Sequence, residues 1–516
     1  MNVRPEIQNL LLHFKKQLIE LPPTADLIEV SPATKRIAFA YERFRNTLEP
    51  DEEEILRRRA VLRILERRLF EDRPPTTIAI TLLQELIRGN YITPPLRSFA
   101  VDIGRYLKKA KQLYSGLESE YQDWLLELVA VAIDHQLFPS NRQEALVHLM
   151  YHDIFRRVVW VSDFVAEQDR PTQLYLTCHR ALFAADKSEL AYHYFVHQFP
   201  AWTKDEMSIE EIDILLKELP AFHNHIEQVL NHPATDRLTR LLRPASVPYL
   251  ILRDVLSARQ DTATSSDQAF EAAVRESFDH RVQHTRIRMS RRAWHSILFL
   301  FLTKTLLALF IEVPYERYLL GEIHYLALGS NIAFHPLLLF ILATTVRMPG
   351  HANSDATFEQ LKRIVTGEGE LPNIAITAPR HYGTATWSAF AIVYAILFMV
   401  IFWGLFTFLD RLDFSLLAMF FFVIFLGLVS FLATRIRRSA DDIRIIPKRE
   451  GALSAVLSFL ALPVLEFGRW LAQNIRQLNV LLFLMDRVLE APFKLLIDIA
   501  EEWFDFVRDR REEIIK

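Results

Sequence analysis

Two uncharged apolar runs, Trp387–Leu409 and Phe414–Thr434, stand back to back, separated by Asp410, Arg411, Leu412 and Asp413 and closed by Arg435, Ile436, Arg437 and Arg438. Each exceeds twenty residues, enough at 1.5 Å per residue to cross a hydrocarbon core of roughly 30 Å. No soluble core needs such a pair, so the segment predicts a membrane hairpin with a short polar turn.

The rest of the chain is arranged around that hairpin. All long uncharged runs lie beyond Arg292, whereas residues 1–292 hold only three glycines (Gly89, Gly104 and Gly116) and no clear apolar/polar alternation. The fold class expected is therefore all-α: a soluble multi-helix N-terminal domain, about four transmembrane helices and an amphipathic helical tail. Prolines from Pro74 to Pro248 mark out helices joined by short turns. Ser31-Pro32 opens one helix. Asp51 opens another, in which Ile55, Leu62, Leu65 and Leu69 face one way and the string Arg57–Arg59 is expected to lie largely elsewhere.

Charge flanks give an orientation. Arg281, Arg286, Arg288, Arg291 and Arg292 precede the run Ala293–Ile311, and no acidic residue occurs between Asp279 and Glu312. The positive-inside rule then keeps the N-terminal domain and both chain ends in the cytoplasm. Arg286, Arg288, Arg291 and Arg292 also suit anionic lipid headgroups. The boundaries that follow are a cytoplasmic helical domain (1–258), a linker and basic juxtamembrane helix (259–292), a first transmembrane pair (293–346), a cytoplasmic loop (347–386), the hairpin (387–438) and a tail (439–516).

Polar residues inside the first pair stand out. Lys304 is the one full charge well inside a run, and two readings stay open: it faces the bundle as a functional group, or it snorkels to the outer headgroups. The second run, Tyr325–Val346, contains Gly329-Ser330-Asn331 and His335-Pro336. It is expected to be broken, with the regular helix beginning near Pro336 and Tyr325–Phe334 at the outer interface. Lys304 and His335 are the candidate intramembrane site. In the tail, Gly451–Leu465 is expected to lie in the interface or re-enter it. The stripe Leu482, Met485, Leu489, Phe493, Leu496, Trp503 and Val507 calls for a packing partner, within the chain, on another protein or in self-association.

Nine of the seventeen histidines fall between His135 and His232. The i,i+4 pairs His148/His152 and His193/His197 would each place two imidazoles on one helical face, a spacing a divalent metal can bridge. The bland alternative is a set of half-buried helix residues. The string His148–Arg157, HLMYHDIFRR, with His152-Asp153 and the upstream His135, resembles the core of HD-domain phosphohydrolases. That resemblance implies a metal held by His135, His152, Asp153 and a following Asp, which could be Asp163, Asp169, Asp186 or Asp213, and used to activate water. Phe155-Arg156 stand where that family often has Gly-Lys. The stretches Tyr41–Arg68 and Glu490–Ile514 resemble conserved-hypothetical multi-pass membrane proteins of small-genome bacteria, which implies a bacterial cytoplasmic membrane and carries over no activity.

Other classes drop out. A net charge of −3 with a pI near 6.6 gives no case for nucleic acid. The single cysteine, Cys178, excludes an intrachain disulfide. No Gly-rich phosphate loop or GxSxG elbow is present, and no cofactor is indicated. The leading expectation is a binding or scaffold protein presenting its helical domain at the membrane. A transporter or channel using Lys304 and the second run, and a membrane-tethered metal phosphohydrolase, are the alternatives.

Overall fold

The computed structural model describes residues 3–15, 26–48, 53–258, 266–378, 383–446, 451–477, 499 and 503. It is 80% helical, with two short strands, Val158–Trp160 and Ile374–Ile376. The described residues form two compact units, one within residues 5–242 and the other within residues 243–479. This division lies ahead of the expected domain boundary at 258/259. The linker residues 259–265 and the stripe from Leu482 to Val507, Trp503 apart, lie outside the described residues.

The unit of residues 5–242 is built from α1 (Pro5–Lys15), α2 (Pro32–Leu48), α3 (Glu53–Arg68), α4 (Pro75–Arg88), α5 (Ser98–Tyr114), α6 (Ser119–Leu137), α7 (Asn141–Arg157), α8 (Arg170–Phe183), α9 (Lys187–Gln198), α10 (Ile209–Leu230) and the start of α11 (Ala234–Ala258). Leu82 and Leu86, Ile103 and Leu107, and Leu125 and Val129 repeat at one-turn spacing on α4, α5 and α6 and are fully buried. Burying each contributes about 1.5–3 kcal/mol, which is why these three helices pack in sequence order. Trp202 fills the space beside Phe195 and Tyr106.

Two expectations fail here for identifiable reasons. Pro220 sits inside α10, and Pro244 and Pro248 inside α11, rather than between helices. Each forfeits one ladder hydrogen bond, a loss offset by the buried neighbours Leu219 and Phe222 and, in α11, Val247 and Ile251. Arg57 and Arg58, expected on an outer face, are each only 7% exposed. Asp134 receives Arg57 Nε and Nη2 at 2.5 and 3.1 Å, and Glu189 receives Arg58 at 2.9 Å. Acids on distant helices pull these guanidinium groups inward, and a pattern of apolar spacing cannot reveal such partners.

The unit of residues 243–479 holds the four helices apolar and long enough to cross a membrane. The first is continuous over Asp267–Leu320. It comprises α12 (Asp267–Leu307), a π-helical turn (Ala308–Glu312), α13 (Val313–Tyr315) and a second π-helical turn (Glu316–Leu320). Pro314 brings no N–H to the carbonyl one turn back, a local cause for the widened ladder. The other three are α14 (Tyr325–Thr344), α16 (Thr384–Asp410) and α17 (Leu416–Asp441). Between them, within the 347–386 segment expected to be a loop, lies α15 (His351–Thr366). Leu300, Leu339, Phe425 and Val429 knit α12, α14 and α17 together.

The second span is not broken. α14 runs uninterrupted from Tyr325 through Pro336 to Thr344. Its polar residues find partners inside the bundle: Ser330 Oγ donates to the Ala327 carbonyl at 2.9 Å, and Asn331 Nδ2 donates to Glu312 at 3.0 Å. With those groups engaged, helix is compatible with apolar surroundings.

Gly451–Leu465, expected to be interfacial or re-entrant, belongs from Ala452 onward to a longer helix. α18 (Ala452–Gln477) is one helix that passes through Pro463 and packs against α17. Gly468 meets Gly427 so closely that a methyl group at Gly468 would fall on the Gly427 backbone. Two facing glycines let helix backbones touch, the packing device of membrane helices. Gly427 is central in its apolar run, and Phe467 meets Phe402 of α16, so α18 packs against the middle of these two helices.

Candidate functional site in the apolar helix bundle

Lys304, on the last turns of α12, is 0% exposed and lies inside the bundle. Its ammonium lies 4.0 Å from Glu312 Oε1 and 4.6 Å from the centre of the Phe425 ring. Eight residues of helix separate Lys304 and Glu312, about 12 Å along the axis, so both side chains must reach toward each other. Glu312 ends the first π-helical turn and is likewise 0% exposed. Four residues on, Glu316 is 1% exposed and accepts the His324 backbone N–H at 3.2 Å.

Asn331 and His335 complete the cluster from α14, one helical turn apart and both fully buried. Asn331 Nδ2 donates to Glu312 Oε2 at 3.0 Å. His335 Nδ1 lies 3.2 Å from the Asn331 carbonyl, and its Nε2 lies 3.0 Å from the Phe422 carbonyl of α17. Both ring nitrogens thus face acceptors. A neutral imidazole carries one N–H, so only the doubly protonated ring satisfies both carbonyls.

The cluster also has unused capacity. Lys304 Nζ, Glu312 Oε1 and Asn331 Oδ1 are buried without a hydrogen-bond partner. A buried polar atom left open costs on the order of 1–3 kcal/mol, more when charged, and apolar helices could have avoided that cost with leucine. Lys304 and His335 were legible in the sequence. Glu312 was not, because it stands just past the end of the apolar run. Asn331 was noted as a helix breaker, whereas its amide bridges two helices.

The basic flank behaves as a surface. Arg286, Arg288, Arg291 and Arg292 are all exposed. Arg288 lines a groove of about 600 Å³ with Arg253, His280, Arg281 and His284, and Arg281 is held by Asp254 at 2.6 Å.

The histidines of the other unit assemble differently from the expected pairs. Among the described residues, the group that converges with metal-ligand spacing is His135, Glu189 and His193. His148, His152, Asp153 and His197 are not in it: His197 is exposed, His148 rests on Tyr175, and Asp153 is buried on α7. The His152-Asp153 pair that the phosphohydrolase resemblance requires beside His135 is therefore absent from this group. Glu189 is not legible from histidine spacing. Its signal was the string from Asp186 to His193: Asp186 caps α9 by accepting the Glu189 N–H at 2.9 Å, which sets Glu189 one turn before His193.

Family models, curated proteins and solved structures were each compared with this chain, and none matches it.

Proposed function

We propose that this chain is a multi-pass membrane protein that conducts a proton, or couples to one, through the polar centre held by α12, α14 and α17. The observation that carries this reading is a buried cluster with more hydrogen-bonding capacity than partners. An ion pair kept for stability alone is best served by short contacts and filled valences. Lys304 and Glu312 sit at 4.0 Å with atoms open, and His335 is placed where gaining a proton completes two hydrogen bonds. Intramembrane ionisable residues of this kind mark proton relays and ion pathways. The two π-helical turns fit the same role, since such turns recur at functional sites in helices.

The test is proton flux into liposomes holding the full-length protein, driven by a potassium diffusion potential and read with an entrapped pH dye. Flux above that of empty liposomes is expected. A variant combining Lys304→Leu with Glu312→Leu should lower it at least about tenfold, the scale of losing one interaction of roughly 1.4 kcal/mol. Wild-type flux equal to empty liposomes would remove the reading and leave a scaffold role for the helical unit, with the exposed arginines on anionic headgroups.

The proposed setting is a bacterial cytoplasmic membrane with residues 5–242 inside and the Asp410–Asp413 turn outside. Cys178 is fully buried, and burial pushes its thiol pKa up, so it should not compete for labels. An impermeant maleimide added to intact cells should label Asp410→Cys and spare Arg437→Cys. The reverse pattern would invert the topology.

A further inference from the structure

We infer that His135, His193 and Glu189 form a site for a divalent transition-metal ion of the zinc class in the helical unit, independent of the intramembrane centre. One ligand atom from each lies within 4.8 Å of the others. The decisive contact is between His193 Nε2 and Glu189 Oε1, at 4.0 Å. That is too long for a hydrogen bond. It is within the span of about 4.2 Å available to two ligands that each lie 2.0–2.1 Å from one ion.

The surrounding bonds leave the right atoms facing inward. His193 Nδ1 is engaged by Glu144 Oε1 at 2.9 Å. Nδ1 is therefore the protonated nitrogen, and Nε2 directs a lone pair at a carboxylate oxygen. Two acceptors pointed at each other repel unless a cation lies between them. Glu189 is pinned in the same way, because its other oxygen takes Arg58 at 2.9 Å. His135 Nδ1 lies 3.3 Å from Ser140 Oγ, which leaves its Nε2 available as a ligand atom. Carboxylate, hydroxyl and guanidinium partners behind metal ligands are the outer shell that orients them.

In this network Asp134 pairs with Arg57, Asp186 and Glu189 pair with Arg58, and Glu144 engages His193 Nδ1. His179, stacked on His193 with ring centres 4.1 Å apart, is 3% exposed and has no hydrogen-bond partner at Nε2. Two imidazoles and one carboxylate suit zinc and its neighbours better than calcium or magnesium. His135 is half-buried and the Glu144 side chain 40% exposed, so water can complete the coordination.

The experiment is a titration of the metal-stripped, full-length protein in detergent with cobalt(II), followed by displacement with zinc(II) and elemental analysis. One equivalent should bind with visible d–d bands of a nitrogen/oxygen site. His193→Gln and His135→Gln should abolish the bands, Glu144→Gln should weaken affinity by about 10- to 100-fold, and His148→Gln should leave binding unchanged. No cobalt band in the wild type, or full binding by folded His193→Gln, would overturn the site. The wild-type titration decides even if a variant fails to fold, and liposome flux has no part in it.

Discussion

Replacing Lys304 alone by Leu should destabilise the bundle by about 3–5 kcal/mol, and adding Glu312→Leu should restore most of that loss. The single change strands a carboxylate that is 0% exposed, hydrogen-bonded to Asn331 on one oxygen and open on the other. The double change removes both charges and sets two leucines near Phe425, where apolar packing replaces the cation on the ring. Unfolding midpoints in mixed detergent micelles, for the wild type, both single variants and the double variant, measure this coupling as a cycle. Equal losses in single and double variants would show that the two charges are not energetically paired. The comparison also separates stability from flux, because the double variant should be well folded and inactive.

Asp134→Ala should cost the helical unit a similar amount, about 3–5 kcal/mol. Asp134 accepts two hydrogen bonds from Arg57, both residues are under 10% exposed, and the guanidinium also lies 3.8 Å from the centre of the Phe138 ring. Removing the carboxylate leaves that cation inside a core lined by Leu65, Leu128 and Val131. Asp134→Asn, which keeps an acceptor, should lose clearly less. Thermal unfolding monitored by tryptophan fluorescence would read both. A loss below about 1 kcal/mol for Asp134→Ala would mean that water reaches Arg57 and the pair behaves as a surface one.

These residues also mark where sequence was informative. The apolar runs were readable because an uncharged stretch of that length has few other uses. Lys304 was readable because a charge inside such a stretch is anomalous. Glu312 was hidden because the helix continues past the apolar run, and a boundary drawn by hydropathy puts the acid outside. Arg57 and Arg58 were misplaced because a guanidinium is buried by its partner, and Asp134 and Glu189 are remote in sequence. The same logic applies to His135 and His193: each was a candidate, but their meeting depends on α6 and α9 packing together. Pro336 and Pro463 suggested breaks that tertiary packing overrides.

The unbroken helix Asp267–Leu320 has a mechanical consequence. At 1.5 Å per residue it is about 80 Å long, against roughly 30 Å of hydrocarbon. The stretch before Ala293 alone amounts to nearly 40 Å of rod beyond the apolar run. Its far end is fastened to α15 by Phe270 on Phe358, by Arg275 to Asp355 at 2.5 Å and by Lys362 to Asp267 at 2.8 Å. A rod of that length is a lever. Pivoting about Ala293, the arm to Lys304 is about 16 Å and the arm to Asp267 about 39 Å. A shift of about 1 Å at Lys304 would thus arrive at the α15 attachment as a displacement of roughly 2–3 Å.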